Sequence, residues 1–126
     1  MKFEDLILHI GEKTGVKVPE KCFTLSEPLH SSSVFLSLAS FLMLQDKTRP
    51  EAVGFIEAAR NTLDKMTQVG LIDKAVLEYL DQAHSEVKET VNKYNYSKAS
   101  QQIDNIGITL ELVREMLIID CYEKTA

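Results

Sequence analysis

No Gly-x-Ser-x-Gly elbow and no glycine-rich phosphate loop occur in the chain, and its five glycines are dispersed. Hydrolase-type serine nucleophiles and backbone cradles for phosphate therefore have no carrier. Cysteine is scarce: Cys22 and Cys121 are the only two, and neither belongs to a CxxC or Cys/His cluster of the kind that holds zinc. The pair by itself leaves one disulfide open. Cys22, between Lys21 and Phe23, reads as a half-buried structural cysteine rather than an activated thiol.

Long runs of charge are also missing. Net charge is −5, from 14 Lys and Arg against 19 Asp and Glu, and neither sign forms a run of five. Phosphate binding normally shows as a basic stripe, so no nucleic-acid partner is expected. The longest apolar run, Val34 to Leu44 with two serines inside it, falls well short of the ~20 residues of a membrane span. Glu4 and Asp5 interrupt the opening where a cleaved leader needs a continuous apolar stretch. The expectation is no membrane and a cytoplasmic location, from which reduced thiols follow.

What is present is helical periodicity over one domain, residues 1–126. Apolar residues make up 44% and charged residues 26% of the chain, ordinary for a globular protein, and at this length folding buries roughly two-thirds of the unfolded surface. Phe3, Leu6, Ile7 and Ile10 share a face and predict a short helix over 1–14. Pro19, Pro28 and a serine triplet make 15–32 read as an irregular connector. A four-helix core then fills 33–122. Its first helix is capped from Ser31-Ser32-Ser33 and runs to about Gln45.

Thr48-Arg49-Pro50-Glu51 gives a capping-box start for the next helix, with Ala52, Ile56, Ala59, Leu63 and Met66 facing the core and Gly70 closing it. Ile72, Val76, Tyr79, Ala83, Val87 and Tyr94 set the following stripe, and Asn95 to Ser97 permit a reversal. Ala99, Ile103, Ile106, Leu110, Val113 and Leu117 form the last seam. The fold class is all-α: a four-helix up-and-down antiparallel bundle with a short additional N-terminal helix and the connector. No segment alternates with period two, so no sheet is expected.

Two segments are apolar on nearly every side: Val34 to Leu44, and the second half of Ile103 to Tyr122. At 100° per residue, Ile108, Leu112, Met116 and Ile119 gather opposite the last helix's core seam. A small bundle has room for about one helix at its centre, and Val34 to Leu44 is the natural occupant. The first helix and the connector then cover the second face of the last helix, or another chain does, as a homodimer or a different protein. Ile108, Leu112, Met116 and Ile119 are thus the candidate partner-binding residues. Tyr94 and Tyr96, flanking a turn, are candidate aromatic anchors.

Glu27-Pro28-Leu29-His30 and Asp81-Gln82-Ala83-His84 match the acid-x-x-His spacing of di-iron bundles. Pro28 argues that the first lies in a loop, and Glu57, Glu78 and Glu111 sit off the core seams, so no metal and no cofactor are expected. Phosphotransfer at His84 meets Glu86, whose carboxylate stands where phosphate charge would gather.

The opening Phe3-Glu4-Asp5-Leu6-Ile7 to Gly15 resembles the first helix of small acidic secretion chaperones, but those continue with strands and this chain does not. Flagellar-type export chaperones, four-helix bundles of this size, offer an analogy of topology that carries no function. The leading expectation is a non-enzymatic protein–protein interaction module of adaptor, export-chaperone, antitoxin or immunity type. The alternative is a ligand- or metal-binding bundle, or a small enzyme, that uses His84.

Overall fold

The computed structural model describes residues 18–125 as four helices: α1 (Glu20–Met43), α2 (Arg49–Gln68), α3 (Lys74–Asn92) and α4 (Tyr96–Thr125). No strand occurs among the described residues, and the helix expected over 1–14 lies outside them. Among the described residues no helix is long and apolar enough to cross a membrane. Packing is cyclic, with α1 against α4 and α2, and α3 against α2 and α4, the α1–α4 contact being the most extensive.

Three cross-links fix the direction of α1 against α4. Cys22 pairs with Cys121, the Ser33 hydroxyl donates to the Gly107 carbonyl at 2.9 Å, and the Ser100 hydroxyl donates to the Ser40 carbonyl at 2.6 Å. Position numbers rise on one helix as they fall on the other, so the two are antiparallel, as the short connections require of the rest. The core joins all four helices through Leu29, Leu36, Met43, Ile56, Leu63, Leu80, Ile103 and Leu110, each fully buried.

The largest departure from the sequence reading is at the start. Residues 20–32, expected as connector, are helix, and the serine triplet lies inside α1 rather than capping it. Pro28 sits within this helix, where it removes a backbone donor and costs about 3 kcal/mol. Tertiary burial overrides that cost. Cys22, Phe23, Ser26, Leu29, Ser32, Ser33 and Leu36 form one continuous buried face, while Pro28 itself is exposed. The serines are useful there because they are small. Ser26, Ser33 and Ser40, spaced by sevens, are all buried, and a Cβ added at Gly107 would stand 3.3 Å from the Ser33 carbonyl oxygen and 3.4 Å from the Leu36 Cβ.

Three further expectations change. Thr48 does precede α2, with Pro50 in its first turn, yet its hydroxyl donates back to the Leu42 carbonyl at 2.9 Å instead of forming a capping box. In α3 the buried positions are Leu80, His84, Val87 and Thr90, so Tyr79 is turned outward, where its hydroxyl donates to Thr109 Oγ1 on α4 at 3.1 Å. Along α4 the seam holds through Ala99, Ile103, Ile106 and Leu110 and then moves to Arg114, Ile118 and Cys121, leaving Val113 and Leu117 half-buried. The α2 stripe is buried as expected, and Gly70 takes the left-handed conformation (φ 77°) that ends that helix.

The thiols are not reduced. Cys22 and Cys121 form a disulfide with Cα atoms 5.6 Å apart, enclosed by Phe23 and Ile118, with Val18 packed against them. The sequence reading missed this pairing because it put Cys22 in an irregular segment. Once 20–43 is one antiparallel helix against α4, the two cysteines must meet.

Candidate partner-binding face

The helix from Val34 to Leu44 does not sit at the bundle centre. In the cyclic arrangement α1 occupies a corner, and its outer side leaves Val34, Leu38, Phe41 and Leu44 about half exposed or more, Phe41 reaching 69%. Phe35 is steadied by stacking on Phe55 of α2, ring centres 5.6 Å apart. On α4, Ile108 (54%), Leu112 (54%), Met116 (68%) and Ile119 (56%) are all open on one face. Large apolar side chains exposed in a row are informative where single ones are not.

Between α1 and α4 runs a groove that takes in Ile108 and Leu112 of the exposed α4 row. A hollow of about 280 Å³ is lined by Ser33 and Ser37 of α1 and by Asp104, Gly107, Ile108, Glu111, Leu112 and Glu115 of α4. At one point the groove is braced by charge. His30 Nδ1 lies 2.8 Å from Glu111 Oε1, and the buried Arg114 guanidinium lies 3.6 Å from the other Glu111 oxygen. Glu111 thus serves as counter-ion to a cation removed from water, which a buried arginine requires.

Tyr94 and Tyr96 stand apart from this face. Tyr96 is twelve residues before Ile108, about 18 Å of helix rise, at the end where α3 passes into α4. Tyr94 is 78% exposed, takes a positive φ of 59°, and meets Tyr96 edge to face with ring centres 6.4 Å apart. Tyr96 is engaged internally: the Arg49 guanidinium carbon lies 3.3 Å over its ring, while Arg49 Nε donates to the Met43 carbonyl. Tyr96 therefore ties the α1–α2 turn to α4, and Tyr94 is the exposed member.

The two acid-x-x-His motifs lie on α1 and α3, which face each other across the bundle, and Pro28 is helical rather than in a loop. His30 is taken up by Glu111, and Asp81 accepts from Arg60 Nε at 2.9 Å. Among the described residues no three His, Cys, Asp or Glu side chains cluster to hold a metal. His84 is buried beside a hollow of about 270 Å³ between α2 and α3, walled by Val53, Ile56, Val87 and Val91. Burial, aided by the Lys88 ammonium, pushes the His84 imidazole below its ordinary pKa, against the opposing pull of Glu57 and Asp81. Its Nε2 has no hydrogen-bond partner among the described residues.

Sequence reasoning found the α4 row and missed its α1 counterpart, because an all-round apolar helix was assigned to the centre. The heptad of serines at 26, 33 and 40 was the available signal: it marks the face by which α1 approaches α4, and so places Val34, Leu38 and Phe41 outside. Comparison of the chain with protein families, with characterised proteins and with solved structures finds no match.

Proposed function

We propose that this chain is a non-enzymatic protein–protein interaction module, of adaptor, export-chaperone, antitoxin or immunity type, that holds a protein partner, or a second copy of itself, on the outer face of α4. The observation that supports it is the row Ile108, Leu112, Met116 and Ile119, four large apolar side chains each more than half exposed along one helix. Apolar rows of this kind are found where water is displaced by another protein. The reading involves no nucleic acid, membrane or cofactor. It carries a cytoplasmic location as a further proposal, against which the Cys22–Cys121 bond weighs, since disulfides persist mainly in oxidising compartments. Thiol trapping in intact cells decides between the two.

The test is Leu112→Glu, with folding followed by circular dichroism and assembly by light scattering over a dilution series and by quantitative partner capture. Loss of assembly or capture in a folded variant is the expected result. Assembly and capture equal to the parent chain overturn the assignment of the face.

A second reading, a ligand-binding bundle that uses His84, draws on the unpartnered Nε2 beside the α2–α3 hollow. Stoichiometric metal in the purified protein, lost on His84→Ala, supports it; metal-free protein whose melting is unmoved by added zinc removes its metal form.

A further inference from the structure

The proposed face has a sign. From Ala99 to Glu123, α4 carries five acids, Asp104, Glu111, Glu115, Asp120 and Glu123, and a single base, Arg114. Arg114 is wholly buried, so every exposed charge on that stretch of α4 is negative. Across the groove, α1 has no Asp, Glu, Lys or Arg between His30 and Leu44. A partner laid along the groove therefore meets Ile108 and Leu112 on the α4 side, the uncharged Ser33 and Ser37 on the α1 side, and the carboxylates of Asp104, Glu111 and Glu115, while Asp120 further along is paired with Lys124 at 2.9 Å.

Spacing sharpens the point. Asp104, Glu111 and Glu115 line the groove at steps of seven and four residues, the repeat by which one helix presents a row of side chains to another lying along it. Glu111 already faces His30 and Arg114. Asp104 and Glu115 make no ion pair among the described residues. A second copy of the chain matches this surface poorly, because a two-fold contact brings one acidic row toward the other.

Resting on the reading that the α4 face binds protein, we propose that its occupant is an amphipathic helix of another protein, with Lys or Arg at three-, four- or seven-residue steps beside its apolar stripe. The apolar stripe covers Ile108 and Leu112, beside Ser33 and Ser37 of α1, and the cations reach Asp104 and Glu115. This is helix-in-groove recognition, with the charges setting register and partner choice.

The experiment titrates the full oxidised chain into two labelled synthetic helices of about 18 residues, about five turns. One is built of leucine and lysine, the other has glutamate in place of every lysine, and both are followed by fluorescence anisotropy. The lysine helix should bind at least tenfold more tightly than the glutamate helix, and less tightly as salt is raised. Asp104→Lys with Glu115→Lys should weaken it tenfold or more. Glu78→Lys with Glu86→Lys on α3, which alters net charge equally, should change binding less than threefold. Leu112→Asn should weaken both helices.

If both helices bind equally and Leu112→Asn weakens both, the docking face stands and the basic chemistry falls. If the α3 reversal weakens binding as much as the groove reversal, the attraction is overall charge and the site is overturned. Binding of neither helix, or binding indifferent to Leu112→Asn, sinks the face itself. A dimer that Leu112→Asn dissociates gives the groove to a second copy. A tenfold gain in affinity for the lysine helix on Leu6→Glu with Ile10→Glu gives it to the chain's own first residues. Either of these last two results overturns the proposal.

Discussion

Ser33 and Gly107 bring α1 and α4 into close contact: the serine hydroxyl donates to the glycine carbonyl at 2.9 Å, and the glycine has no Cβ to push the serine backbone away. The groove that takes in Ile108 and Leu112 runs beside this contact, since both residues line it. Packing and candidate function therefore share an element.

Gly107→Val should destabilise the bundle by about 1–3 kcal/mol, because the branched side chain must displace backbone rather than a flexible side-chain tip. Ser33→Ala should cost about 1 kcal/mol through the lost hydrogen bond alone. Urea titrations of the two variants give both values. A Gly107→Val midpoint equal to that of the parent chain would mean the helices stand further apart than described.

The Cys22–Cys121 bond closes a loop of 99 residues. In the chain-entropy account, removing it by Cys22→Ser or by a reductant should cost about 3–5 kcal/mol. Denaturation with and without reductant measures this. Because both cysteines lie in a small cluster with Phe23 and Ile118, separate from the main core, loss of structure in the reduced chain should begin at the first turns of α1. Hydrogen exchange in Cys22 to Leu25 would report that order.

His84 gives a pH dependence with a definite sign. Its folded pKa lies below the ordinary value of 6.5, chiefly through burial and secondarily through Lys88. The folded protein therefore binds a proton less readily than the unfolded chain does. The resulting stability is present in full above about pH 6.5 and is lost as pH falls from there through the lowered folded value. His84→Leu should flatten that limb of the stability curve, and an unchanged slope would transfer it to other groups.

Tyr94 occupies a left-handed conformation (φ 59°) just after α3, which costs a non-glycine residue about 1–2 kcal/mol. Tyr94→Gly should therefore raise stability by about 0.5–1 kcal/mol. The side chain is otherwise exposed, so a partner that uses it as an anchor would bind Tyr94→Gly more weakly even as the melting temperature rises. Opposite movements of binding and stability would separate the two roles of this position.

The parts legible in the sequence were those where one helix face is apolar and the other charged. Ala52, Ile56, Ala59, Leu63 and Met66 alternate with Glu51, Glu57, Arg60 and Lys65, and the structure buries the first set. The start of α1 was not legible, because Pro28 and the serines are poor helix formers and it is the disulfide and packing against the neighbouring helices that hold them helical. The α4 row could be read from its angle on the helix. Its partner row on α1 could not, because an all-apolar segment contains no polar residues to say which side meets water.

The disulfide has a mechanical meaning as well. The beginning of α1 and the end of α4 lie side by side, joined across 5.6 Å between the Cα atoms of Cys22 and Cys121. Tension applied outside the two cysteines would pass through that rung and leave the chain between Cys22 and Cys121 unloaded. Oxidised, the stretch between the two cysteines is a closed loop that a pull on its ends cannot draw open. Reduced, the same pull would run the length of the chain between the two cysteines and release it as slack.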